Sequence, residues 1–352
     1  MNNKYVKMAL VALLCVAMIL PFVSFESVDV SATGNYSGAV IDTTDAPNGV
    51  KLSILGDSIS TYQGVSNDVN ANSTIGKNAV FYSEARDDVA SYNYFVTRKD
   101  TWWQQAADTL DMDVLVNNSW SGSRVFGDGT DTTDPEGTAP LAAWKGRCMQ
   151  LHDDAGTNAG TKPDIIAVYM GTNDIKAHSG IDTFGDNQAA MIAEGEDTSD
   201  TDFQYPFSKY VRMVYNILTT YSNAEVYLFT LLPHEGQTQV HRTAMTQFNQ
   251  SVRDLVTYYQ GKGKAVYLVD LYNDSGITSD FSVIDRYLGN SLHPNDAGMD
   301  CITNCFVSSI LRNSKYFNSS DFCSIEYDLD DVFVDGGNVG AVRLSDASSD
   351  TK

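Results

Sequence analysis

Four short clusters in this chain carry the side chains that acyl-transfer chemistry uses. Gly56-Asp57-Ser58-Ile59-Ser60 follows the apolar run Lys51–Leu55. A serine just past a strand and before a helix start projects its hydroxyl into a crevice beside backbone N–H groups that suit a developing oxyanion. The second cluster is Asn117-Asn118-Ser119-Trp120-Ser121-Gly122-Ser123 and the third is Gly171-Thr172-Asn173-Asp174. Glycine lets backbone approach a ligand closely, and an asparagine amide is a neutral donor for an oxyanion. The fourth cluster, Asn290-Ser291-Leu292-His293-Pro294-Asn295-Asp296-Ala297-Gly298, places one of five histidines before a proline expected to open the final helix. On such a fixed turn a neutral imidazole can take a proton from Ser58 and return it to a leaving alkoxide. Read singly, each cluster is equally the chemistry of turns and helix caps.

The elements that must position these clusters are legible as alternating patterns. Near-continuous apolar runs at Lys51–Leu55, Asp113–Val116, Asp164–Met170, Glu225–Leu231 and Ala265–Leu271 predict strands covered on both faces. Helical patterns lie at Thr101–Leu110, Leu141–Leu151, Pro206–Tyr221 and Gln239–Gln260, with a last helix from about Pro294 to Leu311. Strands alternating with helices imply right-handed crossovers and a mostly parallel sheet with helices on both faces. Ligands bind such sheets beyond the carboxyl ends of the strands, which is where the first three clusters fall. Three connections at that edge are long: 60–99, rich in aromatics, 123–140, and the acidic, polar 178–204. Loops of that length in a compact domain are usually functional or mobile.

The chain has 352 residues and a formal net charge of −22, with 43% hydrophobic and 19% charged residues. That composition supports a large core and excludes general disorder. The charge argues against nucleic acid or an anionic membrane surface as partner. Lys4 and Lys7 precede an apolar run from Met8 to Val23, and Val30-Ser31-Ala32 offers small residues for cleavage, the pattern of a secretory signal peptide. The expected organisation is a signal peptide at 1–32, a linker at 33–50, an α/β domain at 51–316 and a C-terminal appendage at 317–352. In the appendage, alternation suggests one or two short strands. After signal cleavage no membrane association is expected. Cys148, Cys301, Cys305 and Cys323 survive processing and outside the cell allow three pairings, although buried thiols are the simpler reading. Without a CxxC or histidines beside these cysteines, no metal site is expected. Nothing suggests a nucleotide cofactor or speaks to oligomeric state.

Together and in this order, GDS, the glycine of NSWSG, GTND and HPN resemble the SGNH, or GDSL-type, hydrolase family over roughly residues 51–316. The resemblance implies a three-layer α/β/α, flavodoxin-like sandwich, an accessible site and ester hydrolysis without metal or cofactor. Carried over by position, Ser58 is the nucleophile and His293 the base. The oxyanion hole is then the N–H of Ser58, the N–H of Gly122 and the side-chain amide of Asn173. No GxSxG elbow is present, which argues against the other large secreted esterase fold.

One position departs from the pattern. The family usually has aspartate three residues before the histidine, and this chain has Asn290. Asparagine can accept the Nδ1 proton but supplies no charge to an imidazolium, and in a serine protease the analogous exchange costs about 10⁴ in kcat. A weakened enzyme, a Ser–His pair oriented by another group, and rescue by Asp285 or Asp296 are all open. The family includes carbohydrate acetylesterases and lysophospholipases. Secretion, acidity and the aromatic insertion after Ser58 favour a small ester or acylated polysaccharide as substrate, with acetyl as the acyl group. Trp102, Trp103 and the aromatics from Tyr62 to Phe95 either stack on sugar or simply pack. Lipid acyl hydrolysis, and a carbohydrate-binding protein that has lost catalysis, are the competing readings.

Overall fold

The computed structural model describes residues 49–65, 80–82, 97–126, 143–153, 159–177, 184–199, 202–233, 238–277, 287–289 and 292–317, with the backbone of 325–326 and 343–344. Five strands form one all-parallel sheet: β1 (Lys51–Gly56), β2 (Asp113–Ser119), β3 (Ile165–Tyr169), β4 (Glu225–Phe229) and β5 (Val266–Val269). Their order is β2-β1-β3-β4-β5, so the chain reverses direction at β1. This is the expected three-layer α/β sandwich, and its switch point lies between the ends of β1 and β3.

Helix α1 (Trp102–Leu110) crosses from β1 to β2. Between β3 and β4 run α2 (Thr172–Ala177), α3 (Phe184–Glu196) and α4 (Pro206–Thr220). Helix α5 (Gln239–Gly261) joins β4 to β5, and the short α6 (Leu271–Asp274) and long α7 (Asp296–Asn313) close the domain. Right-handed crossovers on either side of the switch put α1 and α7 on one face and α3, α4 and α5 on the other, as their mutual packing shows. On the first face Trp102 meets Phe229 and Phe306 at centroid distances of 5.1 and 5.5 Å. On the second, Phe248 of α5 lies against Phe207 and Tyr210 of α4 at 5.7 and 5.4 Å.

Several elements depart from the sequence patterns for identifiable reasons. Asn117–Ser119, expected as a loop tail, continues β2 because Ile54, Leu55 and Gly56 pair with all three residues. The two asparagine amides find acceptors there: Asn117 Nδ2 donates to Ser60 O at 2.9 Å and Asn118 Nδ2 to Gln150 O at 3.1 Å. The helix expected over Leu141–Leu151 is absent among the described residues, which hold turns and a 3₁₀ turn at Arg147–Met149. There the Arg147 guanidinium is drawn inward to strand-end carbonyls, and Gly146 weakens the helical pattern. Within the stretch read as a polar loop, 178–204, lies α3. Its apolar stripe is thin (Phe184 and Met191), and Gly195 lets the helix seat against Val211, where a Cβ would collide. Pro294 does not open the last helix. It bridges to Leu288, and Asn295 caps α7 by accepting the Gly298 N–H at 3.0 Å.

The C-terminal alternation resolves into two residue pairs, Ile325–Glu326 and Arg343–Leu344, in antiparallel register. Among the described residues no helix is long and apolar enough to cross a membrane. Cys148, Cys301 and Cys305 are buried, with burial pushing the Cys305 thiol up to about 12. Cys323 and residues 1–32, where a signal peptide is expected, lie outside the described residues.

Gly171, at the end of β3, has φ 125°, and a side chain there would run into the Phe248 ring. Gly171→Ala therefore combines backbone strain with overpacking and is expected to cost about 2–4 kcal/mol. Urea unfolding of the variant beside wild type measures this; an unchanged midpoint would mean that Phe248 yields freely.

Candidate active site

Ser58 opens a 3₁₀ turn, Ser58–Ser60, directly after β1. Asp57 starts this turn as its N-cap, its Oδ1 accepting the Ile59 N–H at 3.0 Å. Ser60 anchors the turn from below: its carbonyl accepts Trp103 Nε1 at 2.9 Å and Asn117 Nδ2 at 2.9 Å, and its hydroxyl accepts Trp102 Nε1 at 3.2 Å. Both tryptophans are fully buried, so they hold the turn and offer no face to a ligand. Ser58 itself is only 4% exposed.

His293 reaches the same point from the far end of the chain. Its Nε2 lies 2.9 Å from Ser58 Oγ. The turn that carries it is a small antiparallel bridge, with Gly289 N donating to His293 O at 2.8 Å and Asn295 N to Tyr287 O at 2.9 Å. Gly298 is required just behind, because a Cβ there would overlap Tyr287 O. A hydroxyl and an imidazole at this distance can exchange a proton, the first requirement of nucleophilic catalysis.

The second and third clusters meet beside them. Trp120 N donates to Gly56 O at 3.1 Å, and Ser123 N closes a turn onto Trp120 O at 3.2 Å with Gly122 at φ 82°, as a type II turn requires. A side chain on Gly122 would meet nothing within 4 Å, so its glycine answers to the backbone angle. Asn173, in the first turn of α2, donates from Nδ2 to Ser123 O at 3.0 Å. That bond fixes its amide next to Gly122 and leaves the second N–H of the same amide for another acceptor. Among the described residues no hydrogen bond engages the N–H of Ser58 or of Gly122.

Two buried charged residues complete the frame. Asp174 is buried and accepts the N–H groups of Val125, at 2.9 Å, and Phe126, pinning the loop after Gly122. Arg147, also fully buried, donates from Nη2 to Gly56 O and Asn118 O, each at 2.9 Å. Asp174 belongs to the GTND cluster and had that signal; Arg147, a lone arginine in an expected helix, had none. Asn290 and Asp285 lie outside the described residues. Asp296 faces Asp100 and Asp300, and burial together with their repulsion pushes its carboxyl up to about 6.

The GDSL-like lipase/acylhydrolase family profile matches residues 50–256. The chain belongs to this family. Its members are hydrolases acting on esters. Among curated proteins none matches the chain. Solved structures similar to it include two proteins described as GDSL-like lipases. One, from Bacteroides ovatus ATCC 8483, is 18% identical over 76% of this chain and 100% of its own, at TM-score 0.46. The other, from Bacteroides uniformis ATCC 8492, is 20% identical over 74% and 95%, at TM-score 0.47. A family 3 carbohydrate esterase from Clostridium thermocellum is 13% identical over 75% and 96%, at TM-score 0.40.

In this member the acidic residue beside the GDS serine is itself unusual. Burial pushes the Asp57 carboxyl up to about 6, against the opposing pull of the Ile59 N–H, the Thr172 hydroxyl and the Arg147 guanidinium. A carboxyl whose folded value exceeds its unfolded one binds its proton more tightly in the folded state, so its stabilising contribution is present at low pH and lost as pH rises through about 6. Asp57→Asn keeps the cap on Ile59 and removes the titration. Relative to wild type, the variant is expected to gain thermal stability at about pH 7.5 compared with about pH 4.5. Melting curves at the two pH values check this, and a constant difference would show that Asp57 does not titrate in that window.

Proposed function

We propose that this protein is a secreted serine esterase that removes short acyl groups, acetyl above all, from a carbohydrate or another small polar ester. The observation that carries the reading is the 2.9 Å approach of His293 Nε2 to Ser58 Oγ at the end of the first strand. Ser58 Oγ attacks the ester carbonyl carbon while its proton passes to His293 Nε2. The carbonyl oxygen becomes an oxyanion facing the N–H groups of Ser58 and Gly122 and the free amide N–H of Asn173. Donors fixed by the surrounding fold are worth most here, because they need no reorganisation as charge develops. His293 then gives the proton to the leaving alkoxide, and water repeats the sequence on the acyl-serine. No metal or cofactor enters this scheme.

Secretion rests on the leader at 1–32. The acidic chain favours a neutral substrate over an anionic lipid surface. Sugar stacking has less support than the sequence offered, because Tyr62, Tyr82, Trp102 and Trp103 are all buried in the fold. The carbohydrate assignment therefore leans on polarity and short acyl length, and the acyl-chain series below is its decisive test.

Hydrolysis of p-nitrophenyl acetate by residues 33–352 is expected, with Ser58→Ala reducing kcat by at least about 10³-fold. Turnover equal to that of the variant would remove the esterase reading and leave polysaccharide binding as the function. Across acyl chains from acetyl to octanoyl, kcat/KM is expected to fall; a rise would move the substrate to lipid. Asn290→Asp is expected to raise kcat with KM little changed, since a carboxylate adds charge that stabilises the imidazolium. An unchanged rate would mean that the base is already fully oriented and balanced.

A further inference from the structure

Beside the Ser58–His293 hydrogen bond, two residues of the first long connection, Phe81 and Tyr82, reach the imidazole. Phe81 lies flat on the imidazole, centroids 3.4 Å apart and planes 12° from parallel. Tyr82 presents its ring edge-on to the same imidazole at 6.3 Å and to Phe81 at 4.8 Å. The Tyr82 hydroxyl donates to Pro294 O at 2.8 Å, holding the backbone one residue beyond the histidine.

The same segment is tied to the serine. The Thr61 hydroxyl donates to Ser58 O at 2.9 Å and accepts the Phe81 N–H at 2.8 Å. Gln63 N donates to Tyr82 O at 3.0 Å. The first long connection thus links the two partners of the Ser58–His293 hydrogen bond: Thr61 bonds to Ser58 and to Phe81, and the Phe81 and Tyr82 rings meet the imidazole. Rotation of the imidazole about its Cβ–Cγ bond would drive it through the Phe81 ring. Its hinge is closed by the Tyr82 bond to Pro294 and by the Leu288–Pro294 bridge.

We propose that Phe81 and Tyr82 are positioning residues for His293, holding its ring toward Ser58 by stacking and by a backbone tether. The inference rests on reading Ser58 and His293 as nucleophile and base. The chemistry is otherwise unchanged: the proton moves from Ser58 Oγ to His293 Nε2 and on to the leaving oxygen.

The test compares wild type with Phe81→Leu, Phe81→Tyr and Tyr82→Phe on p-nitrophenyl acetate, with melting curves on each. Phe81→Leu is expected to lower kcat by about tenfold or more with KM nearly unchanged, because misorientation acts on the transition state and not on ground-state binding. Phe81→Tyr should restore most of the rate, and Tyr82→Phe should give a smaller loss of the same kind. In histidine-labelled protein, the His293 ring protons should resonate upfield in wild type and return downfield in Phe81→Leu, with the assignment made from His293→Asn. Wild-type kcat in Phe81→Leu, unmoved His293 resonances, or a rate loss that follows a fallen melting temperature and is not restored by Phe81→Tyr would each overturn the proposal. Absence of Ser58-dependent turnover in wild type would defeat the esterase reading instead, and the resonances would still decide whether Phe81 sets the ring.

Discussion

Three donors from separate parts of the chain converge on the carbonyl oxygen of Gly56: Trp120 N–H, the Ser123 hydroxyl and the Arg147 guanidinium. This carbonyl ends β1, one residue before the Asp57–Ser58 turn, in a place where water is excluded. A buried carbonyl left unpaired is costly, so the turn after β2, the 3₁₀ segment at Arg147 and the serine turn are held in one arrangement. Even the absence of a side chain at Gly56 matters, since a Cβ would stand 2.6 Å from Ser60 Oγ and 2.8 Å from Ser119 Oγ. The crevice that receives Ser58, Gly122 and Asn173 is the consequence of satisfying that one oxygen.

Charge is managed by the same economy of groups. Arg147 spreads its donors over neutral carbonyls while lying close enough to Asp57 to oppose the rise in its carboxyl. Asp174 spends its oxygens on two backbone N–H groups and so stays close to the amide of Asn173 without competing for it. The result is a site whose immediate donors are neutral and whose nearest buried charges are engaged in holding backbone. Such a frame suits a reaction in which negative charge appears briefly on a substrate oxygen.

Much of this was legible in the residue pattern. Five apolar runs separated by helical patterns specify a parallel sheet covered on both faces, because such strands have no polar face to turn toward water. The clusters at Ser58, Gly122, Asn173 and His293 were recognisable because strand ends, turns and caps demand particular residues, and chemistry demands others at the same places. Where the reading failed, the cause was a long-range partner. Leu141–Leu151 looks helical until the Arg147 guanidinium is allowed to bond to Gly56 and Asn118. Asn117–Ser119 looks like a loop until its amides find Ser60 and Gln150.

Local pattern was enough to name the fold and the family, since both depend on short-range rules of periodicity, turn geometry and side-chain chemistry. Folding alone brought Ser58 within 2.9 Å of a histidine 235 positions away. It also turned Trp102 and Trp103 from candidate sugar platforms into buried supports of the serine turn, and it laid Phe81 on the imidazole. No local rule encodes these contacts. They arise because two distant segments share one volume, and the close packing of that volume leaves each side chain a single place to go.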